Sequence, residues 1–106
     1  MIDGEVMQEL RDFVRARDWG QFHTPENLAK SIAIEAGELL ECYQWGSDPP
    51  SETVAGELAD VITYCCLLAD RLGLEITDIV RAKLAITAAK YPVEKAKGRA
   101  VRYDRL

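Results

Sequence analysis

Apolar residues recur at helical spacing along most of this chain, between strong start and stop signals. The clearest start is Thr24-Pro25-Glu26-Asn27: a hydroxyl that can cap, a proline at the first helical position where its missing N–H costs nothing, and an acid in the first turn. From there Leu28, Ile32, Leu39 and Tyr43 form a stripe that is expected to stop at Gly46. Upstream, Val6, Leu10, Phe13 and Val14 predict a first helix over Met1 to Asp18, with Asp3 as its cap and an end near Trp19-Gly20.

Ser47-Asp48-Pro49-Pro50 reads as a loop, after which Ser51 can cap a third helix running to about Leu72 and stopped by Gly73. Its apolar face takes in Val54, Leu58, Val61, Ile62, Cys65, Leu68, Ala69 and Leu72. Thr77 is the expected cap of a fourth helix through Ile79, Val80, Leu84 and Ile86 to about Lys90, closed by Pro92. The tail containing Gly98 has no convincing period. The short connections favour antiparallel neighbours, so the expected fold is all-α: a compact antiparallel bundle of four main helices. At 106 residues the chain is expected to form one domain, 1–106, with a core small enough that association would help to cover the remaining apolar faces.

Hydrophobic residues at 48% and charged residues at 29% suit a folded globular chain. The net charge of −5, from 18 acids against 13 Lys and Arg, argues against a broad basic surface for a nucleic acid polymer. It does not argue against a small anion met by metal ions and a few local cations. Cys42, Cys65 and Cys66 lack zinc-ligand spacing and read as two reduced core thiols and one partly exposed thiol. The N-terminal sequence has no signal-peptide pattern and no segment resembles a membrane span, so the cytoplasm is the expected location.

The chemistry-bearing residues are acids. Glu35 and Glu38 stand three apart on the second helix, and Glu57 and Asp60 repeat that spacing on the third. Glu35 continues the Leu28-Ile32-Leu39 stripe and Glu57 continues Val54-Val61, so adjacent helices would bring four carboxylates together at the edge of the core. Four such charges oppose folding unless protons or cations relieve them. An all-carboxylate set suits Mg²⁺, with Mn²⁺ a possible substitute, and Mg²⁺ is commonly shared with substrate phosphates. The lone His23 argues against a His-rich phosphohydrolase, and the absence of Glu-x-x-His elements argues against a ferritin-like di-iron site. Acids three apart are also common on solvated helix faces, so spacing alone leaves that reading open.

Glu35-Ala36-Gly37-Glu38 and Glu57-Leu58-Ala59-Asp60, separated as they are, resemble the ExxE…ExxD signature of the MazG-like all-alpha nucleoside triphosphate pyrophosphohydrolases. The likeness extends to Arg17 through His23, Asn27-Leu28, Tyr43-Gln44-Trp45, Asp60 through Tyr64 and Tyr91-Pro92, and is strongest toward the dCTP pyrophosphatase branch. It implies hydrolysis of a (deoxy)nucleoside triphosphate to monophosphate and pyrophosphate. Glu35, Glu38, Glu57 and Asp60 would hold Mg²⁺, directly or through water. Trp19, Gly20, Gln21, Phe22, His23 and Trp45 would line the nucleotide pocket, and Tyr64, one turn beyond Asp60, would reach the substrate. Lys83 would offset phosphate charge, and a homo-oligomer is implied, a tetramer rather than a dimer. Trp19 and Trp45 also suit a core or an interface, His23 suits a brace for the loop before Thr24, and Lys83 suits a solvated face. Leu10 and Thr87 replace a histidine and an asparagine of that branch, which removes hydrogen-bonding capacity and puts strict cytosine selection in doubt. The alternatives are a house-cleaning hydrolase of modified nucleotides and a helical interaction module without catalysis.

Overall fold

The computed structural model describes residues 2–106, which are all-helical, with no strand among them. They divide into two compact units, residues 2–74 and residues 75–106. The first holds helix α1 (Gly4–Ala16), a 3-10 turn (Trp19–Phe22), α2 (Pro25–Glu41) and α3 (Ser51–Arg71). The second holds α4 (Ile76–Lys90), the short α5 (Val93–Ala96) and a 3-10 turn at Tyr103–Arg105.

Two of the expected caps form. The Asp3 carboxylate accepts from the Val6 N–H at 2.9 Å, and the Thr24 hydroxyl accepts from the Asn27 N–H at 3.2 Å, with Pro25 opening α2. Two others do not. Ser51 is itself the first residue of α3, because the Pro50 carbonyl already accepts from the N–H groups of Thr53 and Val54. Thr77 lies within the first turn of α4, because the Glu75 carbonyl takes the N–H of Ile79 at 3.1 Å. In both cases the backbone starts the helix without a side-chain cap.

The helix ends also differ from the pattern. The helical segment expected over Met1 to Asp18 ends at Ala16, and Met1 lies outside the described residues. Tightened bonds from Arg17 to Val14 and from Asp18 to Arg15 close α1, and Asp18 then turns the chain in the left-handed region at φ 53°. The Gln21 amide braces that turn by donating to the Asp18 carbonyl and carboxylate. Likewise α2 stops at Glu41 rather than near Gly46, with Cys42, Tyr43 and Gln44 each bonding three residues back. Gly73 does terminate α3: at φ 68° it lets the Leu74 N–H reach the Ala69 carbonyl at 2.8 Å.

In the first unit α2 and α3 pack most extensively, and α1 lies on α3. The core is small, with Leu28, Cys66 and Ala69 as its buried apolar residues. Of the expected stripe residues, Leu28 is buried and Ile32 and Leu39 are half-buried, whereas Tyr43, Leu58 and Leu72 remain exposed. The thiols divide differently from expectation: only Cys66 is buried, and Cys42 and Cys65 are half-buried. Burial, with Cys65 beside it, pushes the Cys66 thiol above its usual range. Exposed apolar side chains include Ile79, Val80, Leu84 and Ile86 on α4 and Ile34 and Leu40 on α2.

Candidate metal centre and nucleotide cavity

The packing of α2 against α3 brings the acids of the two helices together. Glu35 from α2 and Glu57 and Asp60 from α3 each present an oxygen within 4.8 Å of the others. Glu35 and Glu57 are half-buried, and Asp60 and Glu38 are exposed. Glu38 falls outside that trio but interacts with it: hydrogen bonding with the Glu38 side chain is the main cause that raises the Glu35 carboxyl, followed by burial and by the charges of Glu38, Asp60 and Glu57. Burial comes first in raising Glu57, followed by the charge of Glu38 and hydrogen bonding with it, then Asp60 and Glu41. Glu41 is thus a fifth acid felt at the site. Its position three residues after Glu38 was the available sequence signal.

One oxygen of Glu35 and one of Glu57, Oε2 in each, are buried without a hydrogen-bond partner. A buried carboxylate acceptor without a donor carries a desolvation cost that a cation would relieve. Oxygens around a single octahedral Mg²⁺ lie at most about 4.2 Å apart. The 4.8 Å group needs only small side-chain adjustments to reach that geometry, and its donors are all carboxylate. These residues therefore fit a hard divalent cation.

Beside Asp60 opens a cavity of about 280 Å³, lined on α1 and the 3-10 turn by Leu10, Phe13 and Trp19, and on α3 by Thr63 and Tyr64. Val14, His23 and Leu67 complete its walls. Trp19 meets Phe13 edge to face at 5.6 Å, and the Arg17 guanidinium covers the Phe13 ring at 3.7 Å. The 3-10 turn is tied to α2 by the Asn27 side-chain amide, which donates to the Phe22 carbonyl at 2.9 Å.

The expected pocket residues therefore divide. Trp19, His23 and Tyr64 line the cavity next to Asp60. Gly20 lines a neighbouring cavity, where it joins His23, and the Gln21 side chain is occupied in bracing Asp18. Phe22 is 60% exposed and Trp45 90% exposed, so neither ring is packed as core. Lys83 belongs to the second unit, where it joins Ile79, Val80, Leu84 and Thr87 around a groove on α4. Phe13, Thr63 and Leu67 are cavity residues that sequence reasoning did not assign to the site, because their helical spacing also suits core packing.

A model of the MazG-like family matches residues 30–106 of this chain. Among curated proteins it is similar to dCTP pyrophosphatase 1 of Mus musculus, 38% identical over 105 residues, and to dCTP pyrophosphatase 1 of Homo sapiens, 35% identical over 105 residues. Each match covers 90% of this chain and 62% of the relative, so the chain spans less than two thirds of their length. Among solved structures it is similar to a pyrophosphatase from Archaeoglobus fulgidus, with a TM-score of 0.79 and 36% identity over 83% of this chain and 90% of that one. With the family model covering α3, α4 and most of α2, and with the fold and the sequence of a solved pyrophosphatase agreeing over most of the chain, this protein belongs to the MazG-like family.

Proposed function

We propose that this chain hydrolyses (deoxy)nucleoside triphosphates to the monophosphate and pyrophosphate, with Mg²⁺ as its cation and Mn²⁺ as a substitute. The observation that carries this reading is the pair of donorless buried oxygens on Glu35 and Glu57, placed within a group of acids that opens onto an aromatic-lined cavity at Asp60. Family membership and the names of the relatives support it.

Glu35, Glu38, Glu57 and Asp60 would hold the cation, which when bound neutralises phosphate charge and makes water more acidic. Trp19 and Tyr64 offer aromatic surface to a base, and His23 and Thr63 offer polar atoms. At about 280 Å³ the cavity falls just below the usual range of roughly 300–1,000 Å³ for ligand pockets, so it suits a nucleoside with its phosphates outside, along the acids. A water oxygen bonds to the alpha phosphorus, the bond to the bridging oxygen breaks, and pyrophosphate leaves. Glu38, exposed beside Glu35, or Glu35 itself takes the water proton.

The preferred substrates are deoxynucleotides, with dCTP or another pyrimidine among the best and discrimination incomplete. Leu10 in the cavity wall supplies no hydrogen bond to a base, so purines and modified bases face little polar rejection. A house-cleaning role toward modified triphosphates fits the same geometry. The small core and the exposed apolar side chains of α2 and α4 support a homo-oligomer, with a tetramer favoured. The free thiols suit a cytoplasmic location, where they would stay reduced.

The deciding experiment is a screen of canonical and modified nucleoside triphosphates with Mg²⁺, reading pyrophosphate release and running hydrolysis in ¹⁸O-water. Label is expected in the monophosphate. Label confined to pyrophosphate would rule out attack at the alpha phosphorus, and no release from any triphosphate would favour a non-catalytic interaction module. A light-scattering mass near 11.9 kDa would defeat the oligomer.

A further inference from the structure

Residues 1–74 contain fourteen acids and only five lysines and arginines, yet three of those five, Arg11, Arg15 and Arg71, line a single cavity of about 390 Å³. The only histidine of the chain, His23, joins them there. Scattered surface cations in so acidic a unit would be expected to pair with the nearest acids; here they converge on a concavity between α1, the 3-10 turn and α3.

Both acids of that cavity already have partners. Arg11 grips Asp70 through two nitrogens, at 2.7 and 3.1 Å, which neutralises that carboxylate and fixes its direction. The Asp18 carboxylate accepts from the Gln21 amide at 3.1 Å. Arg15 has only a long ion pair with Asp12, at 3.5 Å with both side chains largely exposed, which solvent screens to little value. Arg71 forms no salt bridge among the described residues. Two guanidinium groups are thus available at one concave polar site, and their planar forks match the oxygens of a phosphate.

We infer that the Arg15–Arg71 cavity is a phosphoanion site, separate from the carboxylate cluster, and that it takes free pyrophosphate. The choice of pyrophosphate over other phosphoanions rests on the proposed reaction, which would generate it; the site itself does not. This cavity shares Val14, His23 and Leu67 with the aromatic cavity at Asp60, so an anion held here would border the nucleotide through that common wall.

The test is isothermal titration of the 106-residue chain with inorganic pyrophosphate in excess EDTA, with deoxycytidine monophosphate as a second ligand. Without metal the four carboxylates repel anions, so they cannot supply the binding. Saturable binding of pyrophosphate is expected, with affinity falling roughly tenfold or more in R15A/R71A as charge-assisted contacts are lost. E57Q, designed to stop hydrolysis, should leave it unchanged. Tighter binding of the monophosphate than of pyrophosphate, lost in the same double variant, would keep the anion site but overturn free pyrophosphate as its occupant. As a check that needs no variant, pyrophosphate should protect Arg15 and Arg71 from phenylglyoxal modification read by mass spectrometry. Absence of binding, equal affinity in R15A/R71A, or unprotected arginines would overturn the proposal. Because none of these readouts requires turnover, a chain that fails to hydrolyse any triphosphate could still bind pyrophosphate here, and an active chain could fail to.

Discussion

Glu35 on α2 and Glu57 on α3 each keep a carboxylate oxygen, Oε2, buried and without a hydrogen-bond donor. Each also has its ionisation opposed, Glu35 chiefly by hydrogen bonding with Glu38 and Glu57 chiefly by burial. The two helices therefore hold their acids in an arrangement whose unfavourable charge a cation can offset.

Mg²⁺ or Mn²⁺ should accordingly raise the melting temperature above that of the protein in EDTA, and so should Ca²⁺, whose longer bonds to oxygen also span the 4.8 Å group. Binding at about 100 times the dissociation constant would contribute about 2.7 kcal/mol. Differential scanning fluorimetry reads this directly, and unchanged melting with all three ions would contradict a metal centre at these acids.

Stability of the metal-free protein should fall as pH rises. A carboxyl whose folded pKa lies above its unfolded value binds its proton more tightly in the native state, so folding is favoured while it is protonated. For Glu35 and Glu57 this advantage is lost as pH climbs from the ordinary 4.5 through their raised native values. Melting in EDTA should therefore drop across mildly acid to neutral pH, and saturating Mg²⁺ should flatten the slope. A melting temperature in EDTA that rises across that interval would overturn the assignment.

Replacing Glu57 by Gln should lower turnover by roughly 100-fold or more, at least the scale of losing a supporting group at a metal. It should leave the metal-free fold intact or stabilise it, because a raised acid is replaced by a neutral isostere. Near-normal Mg²⁺-dependent hydrolysis by this variant would remove Glu57 from the site.

Leu10→His is the informative change in the cavity, since Leu10 lies among Phe13, Trp19 and Tyr64. An added donor and acceptor should sharpen discrimination between pyrimidine and purine triphosphates, by roughly tenfold for one good hydrogen bond. Competition kinetics between dCTP and dATP measures the ratio. A ratio equal to wild type would mean that this wall does not face the base.

Thr24→Ala should cost about 1 kcal/mol of stability through loss of the cap that accepts the Asn27 N–H. Since Asn27 also fastens Phe22, KM should rise more than kcat falls. Urea denaturation and steady-state kinetics test the two halves separately.

The local features were legible in residue order because their causes are local. Helical spacing of Leu28, Ile32 and Leu39, the hydroxyl of Thr24 before Pro25, and a glycine after Leu72 each act within one or two turns, and α2 and α3 form where those signals stand. The two pairs of acids could likewise be placed on helix faces from a spacing of three. What that spacing could not decide was whether they are solvated or convergent. Only packing of α2 on α3 settles this, because it removes water from one oxygen of Glu35 and one of Glu57 and brings Asp60 beside them. Tertiary structure also separates the fates of residues that look alike in sequence. Trp19 packs edge to face with Phe13 whereas Trp45 stands in solvent, and Arg11 finds Asp70 across 59 positions. Contacts between residues so distant in sequence depend on how whole helices are set against each other, which no local preference encodes.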